Sequence, residues 1–348
     1  EPPAGWALAN PEAAKDATAR LLAGATVMLT GDDPWAEGGT GLSGLAGPNH
    51  SGKPAMTPQA ASDNPVRIIS GLAPVMDEAA LAYHPLRITL GVGCARNCPP
   101  DELANLVQAA LSEANIAPDA IAGVFSLDLK ADEPAMNRLA ASLNRPFRLF
   151  DATELEAETP RLANPSDIVF AEVGCHGVSE GAALAAAGPN GTLLVTKQKS
   201  ANATCALAIA PAPLAELAGR ARGRLSVVGI GPGQAAWRTP EVSRLVAEAE
   251  ELVGYGLYID LLGPLAAGKQ RSDFPLGGEE DRCRYALERA AEGRNVALVC
   301  SGDAGIYAMG ALVFELLDRA PDEMGVSDAA HRVDVVCSPG VSALQGAA

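Results

Sequence analysis

The chain has 348 residues, a length that predicts two or three domains at about 100 to 200 residues each. Its 42 acidic residues outnumber its 26 basic ones, and the formal net charge of -16 excludes an overall basic surface, so nucleic acid is not an expected partner. No stretch approaches the roughly 18 consecutive apolar residues of a membrane span, so no membrane partner is expected either.

The first part of the chain, residues 1–85, is predicted to be an incomplete domain. It contains a helix candidate from Pro11 to Leu22, a short strand candidate, ATVMLT, and a stretch from Gly39 to Asn64 rich in Gly, Ser, Pro and Asn. Such a composition buries little apolar surface and indicates a long loop. Glu1 and Ala348 both look like cut ends, so we treat the sequence as a fragment.

Residues 86–210 alternate between strand and helix signals, which is typical of an α/β fold. The strand RITLGVG leads into a helix with Leu103, Val107, Ala110 and Leu111 on one stripe. The alternation continues through six further strings: IAGVFSLD, PAMNRLAASL, FRLFD, DIVFAEVG, SEGAALAAA and GTLLVTK. Of these, DIVFAEVG is interpreted as a strand, which would place His176 at a strand end. Residues 211–224, rich in Pro, Ala and Arg, are predicted to be a linker.

Residues 225–348 indicate a parallel sheet covered by helices on both faces. The strand LSVVGIGPG is followed by a helix with Thr239 as N-cap and Pro240 in its first turn, and then by the strand LVGYG. A helix from Glu279 to Ala291 precedes the strand NVALVC. The next helix is expected to bury Ile306, Met309, Val313 and Leu316, and RVDVVC is the last strand.

Two glycine turns, GIGPG and SGDAG, follow strands of this sheet, at the edge where open α/β sheets bind ligands. A dinucleotide is disfavoured, because Pro232 has no N–H for a pyrophosphate and the second strand ends in Gly254-Tyr255-Gly256, where a ribose-binding fold has an Asp or Glu. A ligand without phosphates fits better. Asp303 can accept hydrogen bonds or cap the following helix.

The series GIGPG, TP-helix, VGYG, SGDAGIYAMG and PGVSAL resembles the class III tetrapyrrole methylases, and the longer strings look most like precorrin-3B C(17)-methyltransferases. The resemblance implies S-adenosylmethionine as cofactor, bound in a trough between two α/β domains, of which the second is absent from this chain. The commoner loop of the family is GDPG, where Ala304 stands here. The implied cofactor-binding residues are Pro232, Ser301, Gly302, Asp303, Ile306, Ser342 and Ala343.

The strings GVGCARNCPPDEL, EVGCHGVSEGAAL and LLVTKQKSANATCALAIA resemble the C-terminal domain of the CbiG family of cobalt-precorrin-5A hydrolases and its stand-alone relative CobE. Residues 1–85 are similar, less specifically, to the middle region of that family. Four residues are candidate substrate contacts in this part, although each also has an ordinary structural interpretation: His176, Glu180, Lys197 and Lys199.

The seven scattered cysteines are predicted to be reduced core thiols of a cytoplasmic protein, without disulfides. Cys94 and Cys98, with His176, are spaced more loosely than a zinc site requires, so no metal is predicted.

The combined resemblance implies methylation of precorrin-3B at carbon-17 with ring contraction, in cobalamin biosynthesis. Methyl transfer needs positioning more than covalent help, so no catalytic residue is named. The substrate is a polycarboxylate, and Arg238, Lys269 and Arg271 are candidate basic contacts. Two alternatives stay open for residues 86–210: hydrolysis of a lactone on a cobalt-corrin intermediate, or non-catalytic precorrin binding. The protein could also assemble as a homodimer.

Overall fold

The computed structural model describes residues 2–35, 65–306, 308–320 and 323–342. The chain forms two compact units, the first comprising residues 1–128 and 133–219 and the second residues 129–132 and 220–348. The predicted loop from Gly39 to Asn64 lies outside the described residues. No helix in the described ranges is long and apolar enough to cross a membrane.

The first unit begins with a four-stranded sheet. Its strands are β1 (Trp6–Leu8), β2 (Val27–Thr30), β3 (Val66–Ser70) and β4 (Leu81–Pro85), in the order β1-β4-β3-β2. Strand β1 is antiparallel to β4, whereas the other pairs are parallel. Helix α1 (Ala14–Leu22) packs on this sheet through Ala17. The helix and strand predicted here are confirmed.

A second, mixed sheet forms the main core of the first unit. Strands β5 (Ile88–Cys94), β6 (Ile121–Leu127) and β7 (Phe147–Phe150) are parallel, and β8 (Thr192–Lys199) and β9 (Ala203–Ile209) form an antiparallel hairpin that pairs with β5 through β9. Helices α2 (Pro100–Glu113) and α3 (Pro134–Ser142) cover one face of this sheet. All four residues of the predicted α2 stripe are buried.

The other face of the sheet is covered by α6 (Val178–Ala187), an alanine-rich helix. Gly91 on β5 permits its close approach, because a Cβ there would lie 2.7 Å from the Ala183 backbone nitrogen. Helix α4 (Ala152–Glu156) contributes Leu155 to the same core.

The strand interpretation of DIVFAEVG is wrong, because residues Asp167–Val173 form a short helix, α5. Ser166 caps its start by accepting a hydrogen bond from the Val169 N–H, and Gly174 ends it with a left-handed φ of 79°. His176 therefore lies in the loop between two helices. A short apolar run has no periodicity that separates helix from strand, so the sequence alone did not distinguish them.

The second unit contains a parallel five-stranded sheet. After the two-residue strand β10 (Arg220–Ala221), its strands are β11 (Arg224–Gly229), β12 (Glu251–Tyr255), β13 (Gln270–Phe274), β14 (Asn295–Cys300) and β15 (Asp334–Ser338). Their order is β13-β12-β14-β11-β15, and every pair is parallel.

Helices cover both faces of this sheet, as predicted. Helices α7 (Pro240–Glu248) and α8 (Gly256–Asp260) pack on one face, and α9 (Glu279–Ala291) and α10 (Met309–Asp318) pack on the other. Thr239 caps α7 as expected, accepting from the Val242 N–H at 3.1 Å. Ile306 was expected to be buried on the last helix, but it precedes α10 and is 45% exposed.

Candidate functional site

Three loops of the second unit meet at one edge of its sheet. They follow β14, β11 and β15, which are neighbours, and they begin after Cys300, Gly229 and Ser338. Because all three strands are parallel, their carboxyl ends lie together, at the edge where α/β sheets bind ligands.

Glycines allow these loops to pack backbone against backbone. Gly231 and Gly302 exchange two hydrogen bonds, of 3.1 Å from the Gly231 N–H and 2.9 Å from the Gly302 N–H. A Cβ on Gly229 would lie 2.5 Å from the Gly302 carbonyl oxygen, and a Cβ on Gly340 would collide with the carbonyl oxygens of both Gly302 and Gly229. We call these four residues, Gly229, Gly231, Gly302 and Gly340, the glycine junction.

Three N–H groups of these loops are engaged within the chain. Those of Gly231 and Gly302 bind each other's carbonyl oxygens, the Gly305 N–H donates to Asp303 Oδ1 at 2.7 Å, and Pro232 has no N–H. Phosphate sites instead use N–H groups that remain available to the ligand. The N–H groups of Gly231, Gly302 and Gly305 are therefore not available to a phosphate.

Most of the predicted cofactor-binding residues lie on the three loops. Pro232 and Ser301 are exposed, Gly302 and Asp303 are half-buried, and Ser342, two residues after Gly340, is buried. Asp303 does not cap α10, because that helix begins after Ala308 and has no side-chain cap. The Asp303 carboxylate instead accepts the Gly305 N–H and so stabilises the loop. Ala343 lies outside the described residues.

Gly229 is the last residue of β11, and Gly340 lies two residues after the end of β15. Sequence reasoning included both in the strings GIGPG and PGVSAL but singled out neither as a site residue. It also missed a link between β15 and α7, in which the buried Ser338 hydroxyl donates to Glu241 Oε2 at 2.7 Å.

The basic candidates of the second unit are engaged within the chain. Lys269 Nζ donates to the carbonyl oxygens of Ala247 and Ala249, at 2.7 and 2.6 Å, so it stabilises the carboxyl end of α7. Arg271 forms ion pairs with Asp260 at 2.6 Å and Asp273 at 2.5 Å. Arg238 Nε donates to Ser243 Oγ at 3.1 Å.

In the first unit, Glu180 is buried in the first turn of α6. Its carboxylate accepts from the N–H groups of Ala163 and Asn164 at 2.9 Å, and from Asn164 Nδ2 and the Lys197 N–H at 2.8 Å. Burial alone would raise its pKa, but these donors together outweigh it and lower the pKa of the carboxyl group. Glu180 thus joins α6, the 163–164 loop and β8.

His176 is held by a carboxylate and an aromatic ring. Its Nδ1 lies 2.9 Å from both oxygens of Glu156, its backbone N–H donates to Glu156 at 3.0 Å, and its Nε2 lies 3.5 Å from Asp167 Oδ1. The imidazole stacks on Phe170 with ring centroids 4.4 Å apart. The side-chain hydrogen bond between Glu156 and His176 is the main reason that the pKa of Glu156 is lowered.

The two lysine candidates lie at the end of β8. Lys197 Nζ donates to the Asn164 carbonyl oxygen at 3.1 Å, and Lys199 is exposed. The structure therefore connects Glu180 and Lys197 through Asn164, whereas His176 belongs to the separate Glu156 cluster.

Five of the seven cysteines are buried, Cys94 is partly buried and Cys337 is exposed. Burial raises the pKa of the Cys205, Cys283 and Cys300 thiols to about 12, so they remain protonated at neutral pH. Within the described part of the chain, no three His, Cys, Asp or Glu side chains form a group that could hold a metal ion.

Comparison with protein families matches two segments of the chain. Residues 88–208 match the family described as "Cobalamin synthesis G C-terminus", and residues 224–348 match "Tetrapyrrole (Corrin/Porphyrin) Methylases". The first segment is 50% identical to Protein CobE of Sinorhizobium sp over 121 residues, which cover 35% of this chain and 79% of that protein.

The second segment is similar to curated methyltransferases. It is 42% identical to the precorrin-3B C(17)-methyltransferase of Sinorhizobium sp over 122 residues, 35% of this chain and 45% of that protein. It is 45% identical to the probable cobalt-factor III C(17)-methyltransferase of Salmonella typhimurium over 95 residues, 27% of this chain and 39% of that protein. The chain thus spans less than half the length of these two methyltransferases.

Proposed function

Since this chain belongs to the CobE family through residues 88–208 and carries a tetrapyrrole methylase segment at residues 224–348, we propose that the protein methylates a corrin-ring precursor in cobalamin biosynthesis. The proposed reaction is transfer of a methyl group from S-adenosylmethionine to carbon-17 of precorrin-3B, with ring contraction. The observation that carries the proposal is the glycine junction at the carboxyl edge of the parallel sheet, where Gly231 and Gly302 bond to each other and Pro232 has no N–H for a phosphate.

S-adenosylmethionine, when bound, supplies a methyl group on a sulfonium. The residues proposed to hold it are Pro232, Ser301, Gly302, Asp303, Ile306, Ser342 and Ala343. The chain's contribution is positional, because the junction fixes three loops against one another and methyl transfer depends on aligning donor and acceptor at near-contact distance. Exposed Ile306 offers an apolar surface that can exclude water from bound ligand.

For the CobE-like part, we propose substrate binding rather than hydrolysis. Lys197 and Lys199, at the end of β8, are the proposed contacts for substrate carboxylates: Lys197 lies beside Glu180 and Asn164, and Lys199 is exposed two residues further along the strand. We propose that Glu180 and His176 hold the loops around these lysines and do not contact the substrate. Glu180 already accepts a hydrogen bond from Asn164, and His176 is already hydrogen-bonded to Glu156. Binding of precorrin without turnover is the expected result, and release of a hydrolysed product would instead support the lactone-opening alternative.

The cofactor assignment is tested by calorimetry on the full-length protein. We expect S-adenosylhomocysteine to bind and NAD not to bind. Gly302→Val should abolish binding, because Gly302 has a φ of 65°, where a β-branched residue is strained, and lies in the junction. Gly268 has a φ of 75° with no atom within 4 Å of a Cβ position, so Gly268→Val is the control for backbone strain alone.

His176→Ala is a second control and should leave the affinity nearly unchanged, because His176 belongs to the first unit. Transfer of labelled methyl to precorrin-3B should be lost in Gly302→Val and kept in Gly268→Val. Tight NAD binding, or unaltered S-adenosylhomocysteine affinity in Gly302→Val, would refute the methyltransferase proposal.

A further inference from the structure

A cavity of about 270 Å³ adjoins the glycine junction. The first turns of α9 and α10 and the end of β14 line it, contributing Glu279 and Arg282, Met309, and Cys300 with Ser301. Ser301 belongs both to this cavity and to the loop that contains Gly302, so a ligand held at the junction can extend a group into the cavity.

Arg282 is the unusual residue of this cavity. It is 1% exposed and is among the largest fully buried side chains of the described residues. A guanidinium carries a permanent positive charge and five N–H donors, and buried charges are normally paired with a hydrogen-bonded counter-charge.

The observed contacts of Arg282 do not supply such a partner. One Nη donates to the Pro275 carbonyl oxygen at 3.0 Å, and the other faces the Met309 thioether sulfur at 3.4 Å, which is a weak acceptor. Among the described residues, Nε has no hydrogen-bond partner. Glu279 Oε1 lies 3.8 Å from the guanidinium, beyond hydrogen-bond distance.

Glu279 is also oriented by another group. Its carboxylate accepts from the Gly277 N–H at 3.2 Å, and its side chain is 45% exposed at the start of α9. It therefore weakens the positive potential at Arg282 without occupying its donors.

The other two arginines of α9 differ from Arg282. Arg284 lies 2.9 Å from Glu280, and Arg289 lies 3.0 Å from Glu251. Within α9, only the arginine that lines the cavity lacks a hydrogen-bonded carboxylate among the described residues.

We propose that Arg282 binds a carboxylate group of the ligand in the cavity beside Ser301. This inference rests on the proposed function, in which both ligands carry carboxylates: the methionyl end of S-adenosylmethionine and the acidic side chains of the tetrapyrrole. A carboxylate is planar and accepts two parallel hydrogen bonds from a guanidinium, so it satisfies the donors that the chain leaves open. Arg282 is a binding residue in this assignment and takes no part in bond making.

Calorimetry on the full-length protein separates the two sources of the carboxylate. The ligands are S-adenosylhomocysteine, 5′-methylthioadenosine, which lacks the amino-acid carboxylate, and cobyrinic acid, a corrin with free carboxylate side chains. Arg282→Met should weaken binding of one carboxylate ligand about 10- to 100-fold, the range expected for charged hydrogen bonds. If S-adenosylhomocysteine is affected and methylthioadenosine is not, the carboxylate is that of the cofactor; if only cobyrinic acid is affected, it is that of the tetrapyrrole.

Arg284→Met is the matched control, with the same substitution on the same helix, and should leave all three affinities unchanged. Arg282→Met should fold, because an apolar residue of similar volume commonly replaces a buried arginine without loss of stability. Arg282→Lys keeps the charge but loses the planar guanidinium, so it should weaken binding of the same ligand. This variant provides the test if the methionine variant does not fold.

Equal affinities of wild type and both Arg282 variants for S-adenosylhomocysteine and cobyrinic acid would overturn this inference and leave the proposed function standing. If the wild-type protein binds neither ligand, the proposed function fails and the role of Arg282 fails with it.

Discussion

Glu180 illustrates how a single buried carboxylate can organise a domain at the residue scale. The residue was a candidate substrate contact, but its oxygens accept four hydrogen bonds from residues 163, 164 and 197. The sequence placed Glu180 correctly in the first turn of a helix. It could not show the four donors, because they come from segments 16 and 17 residues away that only the fold brings together.

Glu180→Gln should lower the free energy of unfolding at neutral pH by about 2 to 3 kcal/mol. The substitution removes the charge and replaces one accepting oxygen by an NH2 group, which cannot accept hydrogen bonds from the surrounding N–H donors. The pKa of Glu180 is lowered in the fold, so its contribution is fully present above the unfolded value, about 4.3, and is lost as the pH falls through the folded value. Denaturant titrations between about pH 7 and 3 should therefore show a steeper acid loss for wild type than for the variant.

Glu113→Gln, an exposed residue of α2, is the control and should change stability by less than about 0.5 kcal/mol. Parallel acid profiles for wild type and Glu180→Gln would contradict the assigned role.

Arg282 and Ile306 show the limits of pattern reading at the same scale. Arg282 lies on the buried stripe of α9 that includes Ala286 and Ala290, so helical spacing alone predicts its burial. The charge of an arginine side chain, however, predicts that it is exposed. Ile306 continues an apparent i, i+3, i+7 series into α10, yet the loop held by Asp303 leaves it outside the helix.

At the scale of elements, strong signals predicted four of the five strands of the second unit's sheet, whereas β13 (Gln270–Phe274) and α8 were not predicted. Helix α9 has the predicted bounds because three acidic residues begin it, a regular apolar stripe runs through it, and Gly293 follows its end. The mixed character of the sheet in the first unit was not predicted. Apolar strands such as β9 have the same composition whether their neighbours are parallel or antiparallel.

One buried carboxylate also attaches α9 to the sheet. Glu251, at the start of β12, is 0% exposed; its carboxylate accepts from Ser272 Oγ and Tyr285 Oη at 2.9 Å and from Arg289 Nε at 3.0 Å. We expect Glu251→Gln to lower the free energy of unfolding by about 3 kcal/mol, because it removes one partner of a buried ion pair.

Glu248→Gln provides the comparison for that measurement. Glu248 forms an exposed pair with Arg244 within α7, and such pairs contribute at most about 0.5 kcal/mol. Chemical denaturation that gave equal losses for the two variants would rule out an anchoring role for Glu251.

At the scale of the whole molecule, the chain is two compact units joined near residue 219. The linker predicted from composition, residues 211–224, includes this boundary between the units. The structure adds that Leu214 donates its N–H to the Leu86 carbonyl oxygen at 2.9 Å and that Arg222 Nε donates to the Arg332 carbonyl oxygen at 2.8 Å. Composition could not show that both sides of the linker are attached to their own units.

Limited proteolysis should therefore cut first within Gly39 to Asn64, whose composition lacks apolar periodicity, and later around Ala210 to Arg224. Mass spectrometry of the time course should identify the second cut as the one that separates the two units. Cleavage within β5 or β14 before either stretch would show that the domain boundaries are wrong.

The same mass spectra, recorded without reducing agent, test the prediction about the cysteines. We expect no disulfide among the seven, because five are buried and burial raises the pKa of Cys205, Cys283 and Cys300, which keeps these thiols protonated. A stable bridge within the chain would contradict the reduced-thiol interpretation and the cytoplasmic location proposed with it.

The glycine junction has a consequence for how such a site can diversify. The contacts that shape it are made by main-chain atoms at Gly229, Gly231, Gly302 and Gly340, not by the side chains of Pro232, Ser301 or Ala304. In the proposed assignment Pro232 and Ser301 contact the ligand, so substitutions there should change ligand preference while the main-chain contacts remain. The proposal thus assigns shape and selectivity to different positions of the same loops.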